Sequence, residues 1–498
     1  GCARVSGGKG AAHRLSLCQE DIAMTDPLDR AMHHARTWLD GLDTAPVGGR
    51  ATADALRDAL GGPLPETGAD AGDIIDALAA GAGPGLHANA GGRFFAWVMA
   101  GSLPSAVAAD WLVSAWDQNS GMFTVAPSTT IIEEITGEWL KDLFGLPPEC
   151  SFAFTTGCQL AHVTALAVAR HAVLEQAGWD VGREGLYGAP AIRILTSANR
   201  HNTLDAAVRY LGMGETHMES VATGEFGNMR AEDLAEKLSG PMRPTILCLN
   251  AADLNVGTFD DFATLIPIAK AAGAWVHVDG AFGLFARTSP AYRALTDGIE
   301  LADSWATDGH KWLNVPYDCG MAFVRDASAH RAAIAKGAAY LSPSPDVRDP
   351  SDWNFELSRR ARAVPVYAAL RELGRAGVAD LVERCCGYCV SLVSGLGALP
   401  DARALNVPVL NQGLVRFERA GATDAENDAF TDEVIRRTNA TGEAFFSGTT
   451  WNGVRAMRVS VVSWRTDEHD VSRSIAAVAR VLLRLRHEKP GPREGTGH

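Results

Sequence analysis

The sequence predicts an α/β protein: a large unit built round a mostly parallel β-sheet, a smaller C-terminal α+β unit, and a helical arm ahead of both. Two observations lead there. Brief apolar runs at 152–154, 192–196, 245–249, 275–278, 304–306 and 321–324 alternate with helical stretches at 160–175, 201–211, 231–239 and 261–272. Runs apolar at every position fit strands covered on both faces, and strand–helix alternation builds parallel sheets. After Pro365 the pattern changes to helices at 366–376 and 378–395, then strand, helix, strand, helix to about residue 486.

In chain order, residues 1–23 are rich in Gly, Ala and Arg without pattern, and a disordered extension is expected. The arm, 24–92, opens on a helix over 26–42, where Leu28, Met32, Ala35, Trp38 and Leu39 recur at helical spacing. Its remainder is rich in Gly, Pro, Ala and Asp, with short helical runs at 51–60 and 72–80. In the large unit, 93–365, Ile131, Ile132, Ile135, Trp139, Leu140 and Leu143 mark a strong helix that stops before Pro147-Pro148. The small unit spans 366–488, and 489–498 is a Gly/Pro/charged tail expected to fray.

The 498 residues carry 45 Lys+Arg against 59 Asp+Glu, a net charge of −14. Such a surface repels phosphate backbones and no basic patch interrupts it, which argues against nucleic-acid binding. With 47% hydrophobic and 21% charged residues the composition is globular. No stretch approaches the ~20 apolar residues of a membrane span. The N-terminal residues lack a signal peptide's apolar core, so a cytoplasmic protein is the expectation. Nine cysteines form no paired framework. Cys385, Cys386 and Cys389 could begin a metal site, but zinc wants four ligands and no second pair follows. Packing on a buried helix face is the better reading, and no metal is expected.

The chemistry starts from lysine, of which there are seven, at 9, 141, 237, 270, 311, 336 and 489. Lys141, Lys237 and Lys270 read as solvated charges on helices. Lys311 differs: it follows a strand-like run and sits between His310 and Trp312. Apolar and cationic neighbours disfavour an ammonium, which points to a neutral, nucleophilic amine suited to Schiff-base chemistry; the alternative is a strand-edge lysine with an exposed head. Upstream, the run 275–278 delivers Asp279, followed by small residues that let a flat group approach. An acid there either caps a turn or pairs with a cationic ring nitrogen. Thr156-Gly157-Cys158-Gln159 joins a strand to a helix start, a place for one phosphate or for plain capping. His201 opens another helix and either caps it or stacks on a planar ligand. Phosphate cradle, ring partner, acid and late amine together suit pyridoxal 5′-phosphate.

These segments, with 161–162, 199–201, 254–260, 277–281 and above all Asp308-Gly309-His310-Lys311-Trp312, resemble the group II pyridoxal-phosphate-dependent amino-acid decarboxylases, relatives of the aromatic-amino-acid and glutamate decarboxylases. The likeness spans roughly 85–470 and implies the fold-type-I, PLP-dependent transferase-like architecture. It implies that Lys311 bonds the cofactor, that Asp279 holds the pyridinium nitrogen, and that Ala281 and His201 cover the two ring faces. Thr156, Gly157, Cys158, Gln159, Asp308 and His310 would surround the phosphate. Tyr340 matches the mobile-loop tyrosine that protonates the carbanion, Ser358 would approach a partner's phosphate, and Arg359-Arg360 would lie near a dimer interface.

Three departures stand out: Cys158 where glycine is usual, Asp308-Gly309 for Asn-Pro, and Gly280 for alanine. Asp308 sets a negative charge near a phosphate and must point away or be neutralised. The implied reaction is decarboxylation of an L-amino acid to its amine and CO2, in a homodimer with shared sites. Rival readings are oxidative decarboxylation–deamination to an aldehyde, transamination on the same fold, and a non-catalytic PLP-binding protein. The stretch 92–97 hints at an aromatic substrate, with core packing as the equal alternative.

Overall fold

In the computed structural model, which describes residues 26–336 and 347–488, the chain divides between Ala88 and Asn89. The first part holds α1 (Pro27–Gly41), α2 (Ala53–Leu60) and α3 (Ala71–Ala82). Asp26, Thr52 and Asp70 cap them through side-chain oxygens, and Arg30 of α1 pairs with Asp73 and Asp76 of α3.

The second part begins with α4 (Pro104–Trp116) and α5 (Pro127–Phe144), each with proline in its first turn. Gly145, at φ +59°, stops α5 two residues before Pro147. The alternating region follows: β1 (Ser151–Thr155), α6 (Cys158–Gln176), α7 (Val181–Glu184), β2 (Arg193–Ser197), α8 (Asn202–Tyr210), β3 (Met218–Val221), α9 (Ala231–Leu238), β4 (Thr245–Asn250), α10 (Phe262–Ala271), β5 (Trp275–Asp279), β6 (Ser304–Asp308), β7 (Gly320–Val324) and α11 (Ala327–Ile334). The seven strands form one sheet in the order β1-β7-β6-β5-β4-β2-β3. The run from β6 to β3 is parallel, and β7 is antiparallel to both of its neighbours. β1, β6 and β7 are buried at every position, as their unbroken apolar runs require. β3 escaped the sequence reading because Met218–Val221 is short, polar in part and at the sheet edge.

After Pro365 the two expected helices form one element, α12 (Ala363–Gly397), broken at Gly374, whose φ of +60° only glycine adopts freely. Then come β8 (Ala402–Ala404), β9 (Gln412–Phe417), α13 (Asp424–Thr441), β10 (Ser447–Trp451), β11 (Val454–Ser460) and α14 (Glu468–His487). The four strands make a second, antiparallel sheet, β10-β11-β9-β8. Residues 93–95, expected to open the large unit, lie against this C-terminal part: Phe94 bridges Phe445, and the Ser460 N–H donates to Phe95 O at 3.0 Å. One apolar cluster runs from Phe144, Phe285 and Trp312 to Cys385, Cys386, Cys389, Phe417 and Met457. The three neighbouring cysteines are thus core residues of α12.

A buried charge cluster braces β1. Glu133 of α5, fully buried, takes Arg359 Nη1 at 2.5 Å and Arg348 Nη1 at 3.2 Å, and Arg359 Nη2 donates to Phe154 O at 2.9 Å. Removing one partner of such a set costs about 3–5 kcal/mol, because a charge is left buried alone. Arg359 is therefore engaged inside its own chain, and Arg360 reaches Asp110 at 2.7 Å. Lys141 is likewise not the solvated charge its helix suggested: it is 5% exposed and donates to Pro148 O and Cys150 O, both at 2.8 Å.

Candidate active site

A cavity of about 170 Å³ opens beyond the carboxyl ends of β1, β2, β4, β5 and β6, where open α/β sheets bind ligands. Cys158, Gln159, His201, Asp279, Ala281, Asp308 and Lys311 all line it. Residues scattered over some 150 positions converge because parallel strands end on one side and each turn presents its side chains there.

Lys311, three residues past β6, points its Nζ at Asp308 Oδ2, 3.1 Å away, and lies 5.9 Å from the Phe282 ring centroid. Burial alone would push the ammonium down. The Asp308 carboxylate, then Cys158 and Asp279, hold it above its usual value instead. The expected neutral amine is thus corrected: the nearest charged neighbour is an anion rather than the cation His310 suggested.

Asp308 was expected to point away from the turn or be neutralised, and it is neutralised. Oδ1 accepts the Cys158 N–H at 2.6 Å, the first amide of α6, while Oδ2 faces Lys311. A helix N-terminus stabilises a carboxylate as it would a phosphate. His310 Nε2 lies 3.5 Å from the same Oδ1, and a Cβ on Gly157 would sit 3.5 Å from His310 Cε1, but neither Gly157 nor His310 is among the residues lining the cavity. The Cys158 side chain turns away, its Sγ 3.5 Å from His162 Nε2. Gly280 fits tightly, since a Cβ there would lie 2.9 Å from Leu284 Cβ.

Asp279 ends β5. Its Oδ1 accepts the Ala281 N–H at 3.1 Å, and its Oδ2 lies 3.5 Å from His162 Nε2. Burial alone would raise this carboxyl, but His162, then His201 and the Ala281 amide, hold it well below the usual carboxylate range. It forms no ion pair with Lys or Arg among the described residues. His201 caps α8: its Nδ1 accepts from the Thr203 N–H at 3.3 Å, which leaves Nε2 for the cavity. Desolvation in the cleft lowers its pKa, against the pull of Asp279.

Thr156 and Ser358 are not among the residues lining the cavity, and Ser358 is exposed. Tyr340 lies outside the described residues. Of the stretch 92–97, Phe94 stacks on Phe445 and Phe95 on Phe446, so both are core. Trp97 alone reaches the cavity, 51% exposed, and it and Val98 have φ of +54° and +57°. Two bulky residues in that region are strained, a condition concentrated at ligand sites. Sequence reasoning missed Asn250, Asp253 and Arg458. Arg458, on β11, is 8% exposed, and among the described residues neither its Nε nor Asp253 Oδ2 has a hydrogen-bond partner. Burial lowers the Arg458 guanidinium to about 10, with Asp253 opposing. An arginine in the run 454–460 carries no local signal of such a role.

The donor set fits the cofactor that the motifs suggested: a lysine amine for an aldehyde, an anion held by His162 and an amide for a cationic ring, and a helix start for a phosphate. Fold and site together define a pyridoxal-phosphate enzyme. A profile described as the pyridoxal-dependent decarboxylase conserved domain matches residues 56–417. The chain is 26% identical over 476 residues to tryptophan decarboxylase 1 of Oryza sativa subsp. japonica, covering 89% of this chain and 90% of that protein. It is 25% identical over 452 residues to 4-hydroxyphenylacetaldehyde synthase of Rhodiola rosea, with 87% and 90% covered. The crystal structure of Oryza sativa TDC with PLP and tryptamine superposes with a TM-score of 0.86 at 22% identity, over 97% of this chain and all of that one. The chain belongs to the pyridoxal-dependent decarboxylase family, and it is a PLP-dependent enzyme that decarboxylates an amino acid. Among the described residues no helix is long and apolar enough to cross a membrane.

Proposed function

We propose that the enzyme releases the α-carboxyl of an L-amino acid as CO2 and returns the amine, with Lys311, Asp279, His201 and Tyr340 as its catalytic residues. The observation that carries this reading is that the Lys311 amine and the anionic Asp279 line one cavity. Bound there, pyridoxal phosphate supplies a cationic ring that takes up the electron pair left when the Cα–carboxyl bond breaks. Lys311 Nζ would hold the cofactor by its aldehyde end. Asp279 would hold the ring nitrogen's proton, and His201 and Ala281 would hold the ring from its two sides. The Cys158 amide, with Thr156, Gly157, Gln159, Asp308 and His310, receives the phosphate end, and Ser358 serves the partner's site. Tyr340 and the free Nε2 of His201 return a proton to Cα.

Trp97 and Phe282 on the cavity wall support an aromatic side chain on the substrate. A homodimer is supported by apolar side chains left exposed on neighbouring helices, Trp111, Leu112 and Trp116 of α4 and Ile135 and Trp139 of α5. No residue of α1 is buried either, despite its apolar stripe. The described cysteines are free thiols, which supports a reducing, cytoplasmic setting. The test is a panel of twenty amino acids with CO2 trapped and amine, ammonia and peroxide assayed together. CO2 and amine in equal amounts, greatest for an aromatic substrate, are expected. Ammonia and peroxide matching the CO2 would replace amine formation by aldehyde formation, and no CO2 from any amino acid would overturn the reading.

A further inference from the structure

Two histidines that the proposed chemistry leaves unused are fully buried beneath the cavity, His162 on α6 and His277 on β5. His162 Nδ1 lies 2.9 Å from His277 Nε2, and the other nitrogen of each ring is also engaged. His277 Nδ1 is 2.9 Å from Ser304 Oγ on β6, and the same Oγ accepts the Trp275 indole N–H at 3.0 Å. At the far end His162 Nε2 faces Asp279 Oδ2 and Cys158 Sγ, each at 3.5 Å.

The direction of this chain follows from its ends. An indole nitrogen only donates, so Ser304 Oγ accepts there. Among the described residues, the Ser304 hydroxyl hydrogen finds no acceptor other than His277 Nδ1. Burial, aided by His162, lowers His277 to about 3 and keeps its ring neutral. Accepting at Nδ1, it carries its proton on Nε2 and donates to His162 Nδ1. His162 then carries its own proton on Nε2, toward Asp279. In this direction every donor meets an acceptor, whereas reversal strands a hydroxyl hydrogen in a fully buried site.

Secondary structure sets the spacing. His277 and Asp279 share one face of β5, being two residues apart, and His277 is in register with Ser304. His162 comes one helical turn after Cys158. The Ala281 amide already fixes Oδ1 of Asp279, so a second donor at Oδ2 fixes the carboxylate plane.

We propose that His162 is a positioning residue of the decarboxylation: the chain Trp275–Ser304–His277–His162 aims one N–H at Asp279 and keeps that carboxylate an oriented anion for the cofactor's ring nitrogen. This rests on the role given to Asp279 above. It adds four side chains, none of which lines the cavity, to the machinery that holds the ring proton.

The test uses the holoenzyme and three variants. His162→Leu removes the donor. It is expected to shrink the long-wavelength absorption of the bound cofactor, weaken cofactor retention about tenfold, and lower kcat by about tenfold or more with KM nearly unchanged. His162→Gln restores an N–H near the Nε2 position and should recover most of the band and the retention. Ser304→Ala, remote from the cavity, should move both readouts the same way by a smaller amount. Wild-type absorption and retention in a folded His162→Leu protein would overturn the proposal. So would equal losses in the Leu and Gln variants, since packing alone would then explain them. A wild-type protein that takes up no cofactor or releases no CO2 would instead sink the functional reading, so the two failures are distinct.

Discussion

Asp279 and Asp308 end neighbouring strands of one sheet, yet packing leaves them in opposite conditions. Asp279 is held by an amide and an imidazole and has no lysine or arginine partner among the described residues, so its charge is available to a cation. Asp308 is already taken, by the Lys311 ammonium on one oxygen and the first amide of α6 on the other. Asp308 takes the Cys158 amide, a donor that a phosphate would also use. The residue type is the same, and the partners decide what it can do.

The largest expected effect tests the amine that one acid holds and the other awaits. Lys311→Ala should abolish both borohydride fixation of the cofactor and CO2 release. A variant that still fixes cofactor would break the assignment, because no other described lysine lines the cavity. Next comes Asp279→Asn, which removes the charge but keeps the shape. A fall in kcat of about 10²–10³-fold with little change in KM is expected, as for the loss of one preorganised electrostatic partner. An unchanged kcat would erase the contrast between the two acids.

Asp308→Asn should act the other way and more gently. Asp308 is the strongest influence holding the Lys311 amine above its usual value of 10.5. A raised value means a charged, non-nucleophilic amine at neutral pH, so cofactor capture by the apoenzyme speeds up as pH climbs toward it. With asparagine the climb moves to lower pH, and capture at neutral pH becomes faster. Reconstitution rates measured across pH would show this, and coincident profiles for the two proteins would show that Asp308 does not govern the amine. Cofactor retention should tighten at the same time, because the substitution removes a negative charge beside the phosphate.

How legible the site was depends on where its signals lie. Lys311, Cys158 and His201 each follow a strand within a few residues and Asp279 ends one, so local pattern located them. The charge state of Lys311 was misjudged because proximity in sequence favoured His310 as its neighbour. The side chain turns the other way, onto the end of its own strand. Arg458, Asp253 and Trp97 reach the cavity from segments with no local mark of function. Arg458 comes from the second sheet, and its approach depends on the antiparallel register of β11 with β9 and on how that sheet packs. In 92–97 the sequence offered two readings for the whole stretch, and the structure divides it: Phe94 and Phe95 go to the core and Trp97 to the cavity.

By itself the sequence determined the alternation of strands and helices, hence a parallel sheet, and the residues at the strand ends, hence a lysine, an acid and a helix start facing one side. Those features are local, because hydrophobic periodicity and chain direction act over a few residues. Only tertiary structure decided which charges meet: Asp308 on Lys311, His162 beneath Asp279, Arg458 near Asp253. Electrostatic partnership depends on distances of a few ångströms between elements far apart in the chain, and no run of neighbouring residues encodes those distances.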